Sequence, residues 1–188
     1  RQLKAKYERE VRKITATEKD NFRQQNLIKR ARYRFFKNYE HQLDVAPFGA
    51  CHLRHPEIAK VVKDKLHQYD GEYYDLLAYN IMPNHCHAVF DFGRQVVDVQ
   101  DSLLSTSSLS LEYRPLHDIM RLIKGGSARE INKFIGNTGK PFWQKDSYDH
   151  FVRDQRSLGN VVAYTLQNAA AAGLVDDWQE WPNVWSRM

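Results

Sequence analysis

Two histidines with one residue between them, His85 and His87, are the first residues in this chain whose spacing suggests chemistry. Residues 85–92 alternate in polarity, which predicts a β-strand, and residues two apart on a strand project to the same face. Both imidazoles therefore point one way and Cys86 points the other. Two imidazoles on one face can bind a single Zn, Mn, Ni or Cu ion, and Mg²⁺ becomes a candidate when a phosphate oxygen completes the shell. The alternative is a polar pair on a solvent-facing strand.

Tyr164 and Asn168 form a second group, because a separation of four residues places both on one face of a helix. At about 100° per residue they lie at the border of that helix's apolar stripe, where a side chain can face a cleft while the helix stays packed. The stripe consists of Leu158, Val162, Thr165, Leu166 and Ala169. The alternative is a tyrosine at the edge of the core beside a solvated asparagine.

A single reaction could use both groups. A phenol has a pKa of about 10 and is a poor nucleophile at neutral pH, so it needs a nearby cation or base. A metal held by His85 and His87 would stabilise charge on an attacked phosphodiester and on its leaving oxygen. Attack by Tyr164 would then form a phosphotyrosine and free the other DNA end as a hydroxyl. Asn168, one turn further along, could be a third and neutral metal ligand.

The elements that would position these residues follow from periodicity and from breaker residues. The chain predicts helices over residues 1–42, 56–69, 115–135 and 154–173, and strands over residues 73–82, 85–92 and 142–152. Pro83-Asn84 should join the first two strands into an antiparallel hairpin. Gly125-Gly126 should break the third helix, which restarts at a capping box of Ser127 and Glu130. Residues 93–113 predict a long surface loop.

A further short strand over residues 50–53 would complete the order βαββαβ. That order predicts an α+β fold of the ferredoxin-like kind, an antiparallel sheet with helices on one face and an added C-terminal helix. The predicted organisation is a basic helical extension over residues 1–45 followed by one domain over residues 46–188.

Charge is concentrated at the start of the chain. Of the net +5, the first forty residues contribute thirteen Lys and Arg minus five Asp and Glu, or +8, which leaves −3 for the rest. Such a segment favours an anionic partner, nucleic acid first and a membrane surface second. Arg30, Arg32 and Arg34 interleave with aromatic residues, a pattern that suits phosphates and unstacked bases. The alternative is an ordinary solvated helical face.

Composition excludes several other classes. With 42% hydrophobic and 12% aromatic residues the chain is not disordered as a whole. No apolar run reaches the roughly 18 residues of a membrane span. Cys51 and Cys86 form no disulfide framework, and the polar start has no secretory segment. We therefore expect a cytoplasmic protein with no membrane partner.

Residues 79–87, YNIMPNHCH, resemble the MPNHxH signature of the HUH single-tyrosine transposases, and most closely that of the REP-associated tyrosine transposases. Three further stretches resemble motifs of the same family, namely SAREIN at 127–132, FWQ with YDHFVRD at 142–144 and 148–154, and YTLQN with AGLV at 164–168 and 172–175. The likeness covers about residues 48–188. Cys86, Ala169 and Ala171 depart from the family pattern, but none of them replaces a catalytic group.

The resemblance implies a ferredoxin-like HUH fold in which His85 and His87 are metal ligands and Tyr164 is the nucleophile. It implies Asn168 as the third ligand, at a position where related transposases use Gln, and Mg²⁺ or Mn²⁺ as the metal. The implied substrate is single-stranded DNA beside hairpins, such as palindromic repeats. Relatives build the site within one chain or across a dimer, so both a monomer and a homodimer stay open.

The predicted DNA contacts are grouped at three places. Arg121, Lys124, Arg129 and Lys133 surround the expected helix break at Gly125-Gly126, where free backbone amides could hold a phosphate. Arg153 precedes the last helix, and Arg30, Arg32 and Arg34 lie in the basic extension. Trp178, Trp181 and Trp185 could stack on bases, although core packing of the tail is the simpler interpretation.

Two other functions fit the same residues. One is a hairpin-DNA binding protein with the same fold and little or no cleavage activity. The other is a Zn-dependent hydrolase that uses activated water, which would leave Tyr164 without a role.

Overall fold

A computed structural model of the chain describes residues 2–45, 51–95, 113–144 and 147–187. It divides into two compact units, Arg1–Gly49 and Ala50–Met188, which we call the N-terminal and C-terminal units. In the described part of the chain, no helix is long and apolar enough to cross a membrane.

The N-terminal unit is a pair of helices, α1 (Gln2–Thr17) and α2 (Asn21–Val45). The prediction of helix is confirmed, but as two helices rather than one. Asp20 makes the break, because its carboxylate accepts a hydrogen bond from the Arg23 backbone amide at 2.9 Å and so caps α2. The two helices pack through a seam in which Tyr7 stacks on Phe35, with ring centroids 5.0 Å apart.

The C-terminal unit contains a three-stranded antiparallel sheet in the order β2-β1-β3. Its strands are β1 (Asp75–Ile81), β2 (Cys86–Asp91) and β3 (Val184–Ser186). The predicted hairpin of the first two strands is confirmed, with Asn80 opposite His87 and Ile81 opposite Cys86. The third strand comes from the C-terminal tail, where no strand was predicted.

Helices cover both faces of this sheet. On one face, α3 (Pro56–Gln68) and α4 (Leu116–Phe134) pack against Leu76, Tyr79 and Ile81 of β1 to form the main core. On the other face, α5 (Gln155–Ala171) packs on Ala78 and Val89 through Val162, with Leu158, Val161 and Leu166 beside it. Two short 3₁₀ turns, His52–Arg54 and Trp178–Glu180, precede α3 and follow α5, and Leu53 of the first is buried in the main core.

The predicted break at Gly125-Gly126 is wrong, since α4 runs through both glycines. Buried Ile119, Ile123 and Ile131 hold this helix against the core, and that packing outweighs the helix propensity lost at two glycines. A Cβ at Gly126 would lie 3.4 Å from the Lys65 side chain on α3, whereas one at Gly125 would meet nothing within 4 Å.

The strand predicted over residues 142–152 is also wrong for the described residues of that stretch, none of which is in a strand. Side chains of α4 hold its first part instead. The Trp143 indole donates to the Ser127 hydroxyl at 2.9 Å, and the Lys124 ammonium donates to the Gln144 carbonyl at 2.7 Å. These contacts satisfy polar groups without a strand partner.

The remaining fold predictions have mixed outcomes. His52–Arg54 is a 3₁₀ turn rather than part of a leading strand, and residue 50 lies outside the described residues. The predicted surface loop lies largely outside them as well. The chain is therefore a mixed α/β protein with an antiparallel sheet, whereas the βαββαβ order is not confirmed because only three strands are described.

Candidate metal and nucleophile site

The two histidines face α5 from the edge of the sheet. His87 lies in β2, and His85 stands just before it, where its carbonyl accepts a hydrogen bond from the Met82 amide at 2.9 Å. Their Nε2 atoms are 2.9 Å apart and their rings are nearly perpendicular. Cys86 points into the main core, as predicted, and burial raises the pKa of its thiol to about 12. The thiol therefore lies on the face of β2 that points away from the two imidazoles.

Helix α5 brings Asn168 and Tyr164 to the same place. The Asn168 amide donates to His87 Nε2 at 2.9 Å, although the two residues are 81 positions apart in sequence. The Tyr164 ring meets the His87 ring edge-on, with centroids 6.0 Å apart. Asp154 begins this helix by accepting from the Ser157 amide at 2.8 Å. The four predicted site residues thus form one cluster.

Asn80 fixes the helix against the sheet, and sequence reasoning missed it. Its side-chain amide donates to the carbonyls of Thr165 and Leu166 at 3.0 and 3.3 Å. These two carbonyls lie on the turn between Tyr164 and Asn168, and Asn80 is opposite His87 in the sheet. Asn80 is completely buried. The signal in the sequence was a lone amide within an otherwise apolar strand.

Asn84 orients the first histidine. Its Oδ1 lies 2.7 Å from His85 Nδ1, so it accepts the proton of that nitrogen and leaves the lone pair on Nε2, toward His87. Asn84 belongs to the motif that suggested the site, but its role could not be assigned from spacing.

Burial favours the neutral form of the His87 imidazole. Burial lowers the pKa of His87 from 6.5 to about 4, so the ring is uncharged at neutral pH and its Nε2 lone pair accepts the hydrogen bond from Asn168. The Asn168 amide and the His87 ring are therefore neutral, and a divalent cation held by them would keep its full charge toward a phosphate.

The spacing of the three side chains fits a metal ion. Two ligand atoms that each lie about 2.1 Å from a metal ion, with a right angle at the metal, are about 3.0 Å apart. The nitrogens of His85 and Asn168 are both 2.9 Å from His87 Nε2, close to that value. Rotation of the Asn168 amide by half a turn would present its oxygen instead. The described residues contain no group of three or more His, Cys, Asp or Glu side chains suited to a metal, so any third protein ligand beside the two histidines would be the Asn168 amide.

The predicted DNA contacts on α4 do not join this cluster. Helix α4 packs on the sheet face opposite α5, and because it is continuous its central amides bond within the helix. The phosphate site expected at a helix start there is therefore wrong. Lys124 is half-buried and bonded to Gln144, whereas Arg121, Arg129 and Lys133 are exposed.

The structure also shows which of the other predicted DNA contacts are exposed. Arg153 is exposed beside the start of α5. In the N-terminal unit, Arg34 forms an ion pair with Glu10 of α1, whereas Arg30 and Arg32 are exposed.

The tryptophans of the tail pack against the sheet. Trp185 stacks on Tyr79 with centroids 5.8 Å apart, and the Trp181 indole donates to the Ile81 carbonyl at 3.1 Å. Core packing was the correct interpretation for these two residues.

Comparisons with protein-family models, with curated proteins and with solved structures found no match to this chain.

Proposed function

We propose that this chain cuts and rejoins single-stranded DNA at or near hairpins through a covalent phosphotyrosine at Tyr164, as a transposase-like enzyme. His85, His87 and Asn168 would hold the divalent metal, Mg²⁺ or Mn²⁺. The proposal extends to the ferredoxin-like fold of the HUH transposases, to which the three described strands would contribute.

One observation carries the proposal. The hairpin and α5, distant in sequence, bring side chains together: the His85 Nε2 and the Asn168 amide nitrogen each lie 2.9 Å from His87 Nε2. The Tyr164 ring lies beside His87. A protein that only binds DNA has no need of this arrangement, and a hydrolase that uses activated water has no need of the tyrosine.

Each residue has a stated role in the reaction. The bound cation would supply charge stabilisation to the attacked phosphate and to the leaving oxygen. The Tyr164 oxygen attacks phosphorus, the bond to the neighbouring deoxyribose oxygen breaks, and that oxygen leaves and takes a proton from water to become a hydroxyl. The phenolic proton passes to water, since Tyr164 is half-buried rather than enclosed. In rejoining, a DNA hydroxyl attacks the phosphotyrosine and the phenol leaves.

The test is to incubate the full chain with labelled single-stranded hairpin DNA and Mn²⁺ or Mg²⁺, and to look for a covalent adduct on a denaturing gel. An adduct that is lost with EDTA and in Tyr164→Phe supports the proposal. Tyr113→Phe is the matched control, because Tyr113 is an exposed tyrosine outside the cluster. It should form the adduct normally.

Two results would replace the proposal. Tight hairpin binding with no adduct in either metal would favour the DNA-binding protein. Cleavage that survives in Tyr164→Phe would favour a hydrolase.

A further inference from the structure

The face of α2 that points away from α1 has an unusual composition. Ala31 is buried and Phe35 stacks on Tyr7, so these two residues mark the side that meets α1. Each lies two positions from Tyr33, which is about 160° around the helix from both. The outward stripe opposite the seam consists of Phe22, Asn26, Lys29, Arg30, Tyr33 and Lys37.

Two aromatic rings of this stripe are open to solvent. Phe22 is 76% exposed and Tyr33 is 61% exposed. The solvent face of a helical hairpin is normally polar, and neither ring contributes to the seam. Asn26, Lys29 and Arg30 lie between them, and together with Tyr33 and Arg34 they line a shallow open groove.

The positive charge of α2 indicates an anionic partner for the outward stripe. Residues 21–39 contain six Lys and Arg and no Asp or Glu. The Lys37 ammonium lies 6.0 Å from the centroid of the Tyr33 ring, which places a cation directly beside an open aromatic face. Exposed rings flanked by cations bind unpaired bases by stacking while the cations bind the adjacent phosphates.

We infer that the outward stripe of α2 is a binding surface for single-stranded DNA, on which Phe22 and Tyr33 stack with bases and Lys29, Arg30 and Lys37 contact phosphates. This inference rests on the proposed function for the identity of the nucleic acid. It also distinguishes two arginines of the basic extension, because Arg30 lies on the outward stripe, whereas Arg34 at the edge of the same groove is ion-paired with Glu10.

The experiment measures binding of the full chain to two labelled oligonucleotides of equal length, one of oligo-dT and one of abasic sugar-phosphate. Tyr33→Ala and Phe22→Ala should each weaken oligo-dT binding about fivefold or more. They should leave abasic binding and the salt dependence unchanged, because stacking involves no counterion. Lys29→Gln should instead lower the slope of log affinity against log salt by about 0.7.

Two controls separate stacking from other effects. Tyr33→Phe keeps the ring and should bind as the original chain does. Phe134→Ala removes an aromatic ring that is 67% exposed at the end of α4, and it should have no effect. Circular dichroism should show undiminished helix in Tyr33→Ala, since alanine is the better helix former.

The inference is overturned if Tyr33→Ala and Phe22→Ala bind oligo-dT within twofold of the original chain, or if they lose abasic binding equally. Its failure is distinguishable from failure of the proposed function. A Tyr33 effect without any covalent adduct would retain the surface and reject the transferase, whereas an adduct without a Tyr33 effect would do the reverse.

Discussion

Acid should destabilise the C-terminal unit through His87, by an amount that follows from its burial. In the unfolded chain this imidazole has a pKa of 6.5, and in the folded chain burial lowers the pKa to about 4. Because the unfolded state binds the proton more tightly, stability is present above pH 6.5 and is lost progressively as the pH falls toward 4.

The expected loss can be worked out between pH 7.5 and pH 5. At pH 5 the unfolded imidazole is almost fully protonated, whereas the folded one is about one-tenth protonated. Protonation of the unfolded chain therefore lowers the free energy of unfolding by about 2 kcal/mol at pH 5, whereas its effect at pH 7.5 is negligible. His87→Asn removes this titration and keeps a polar side chain at the site.

The assay is urea unfolding in EDTA, followed by tryptophan fluorescence. All four tryptophans lie beyond residue 140, so the signal reports the C-terminal unit. Between pH 7.5 and pH 5 the original chain should lose about 2 kcal/mol more than His87→Asn. Equal losses in the two proteins would refute the argument that the folded site excludes a proton from His87.

The first of the remaining predictions concerns metal binding at the His87 imidazole. At pH 7.5, Mn²⁺ at about 100 times its Kd should stabilise the chain by about 2.7 kcal/mol, with no gain in His87→Asn, as urea unfolding would show. Asn84→Ala should weaken Mn²⁺ binding about 10- to 100-fold in calorimetric titration, since it frees the His85 ring to turn, and unchanged affinity would remove its orienting role. Asn80→Asp, which replaces the donor to two buried carbonyls by a carboxylate, should reduce adduct formation at saturating DNA more than it reduces DNA affinity. Gly125→Ala should stabilise the unit by about 1 kcal/mol in thermal unfolding, because α4 is continuous and the added methyl meets nothing within 4 Å, whereas a broken helix would give no gain.

Local pattern was sufficient for the elements that carry the site. Alternation and the Pro83-Asn84 interruption predicted the hairpin, and alternation placed His85 and His87 together with Cys86 behind them. The i, i+4 spacing placed Tyr164 beside Asn168. These inferences succeeded because side-chain direction on a strand or helix depends only on neighbours in sequence.

Predictions from the local sequence pattern failed where long-range packing determines the secondary structure. Gly125-Gly126 reads as a break, yet the burial of three isoleucines keeps α4 intact. The stretch after Phe142 resembles a strand, yet Trp143 and Lys124 bind it to a helix. Residues 184–186 form a strand only because β1 offers them a free edge, which nothing within those three residues indicates.

By itself the sequence determined which residue types face together, and hence which four side chains the proposed function uses. Only the tertiary structure decided that His87 and Asn168, 81 positions apart, share a 2.9 Å contact, and that the arginines of α4 lie on the other face of the sheet. The physical reason is that periodicity sets directions within one element, whereas distances between elements depend on how buried faces pack. Asn80 shows this best, since a lone amide in an apolar strand marks it in the sequence, but its partners on the helix lie 85 and 86 positions away.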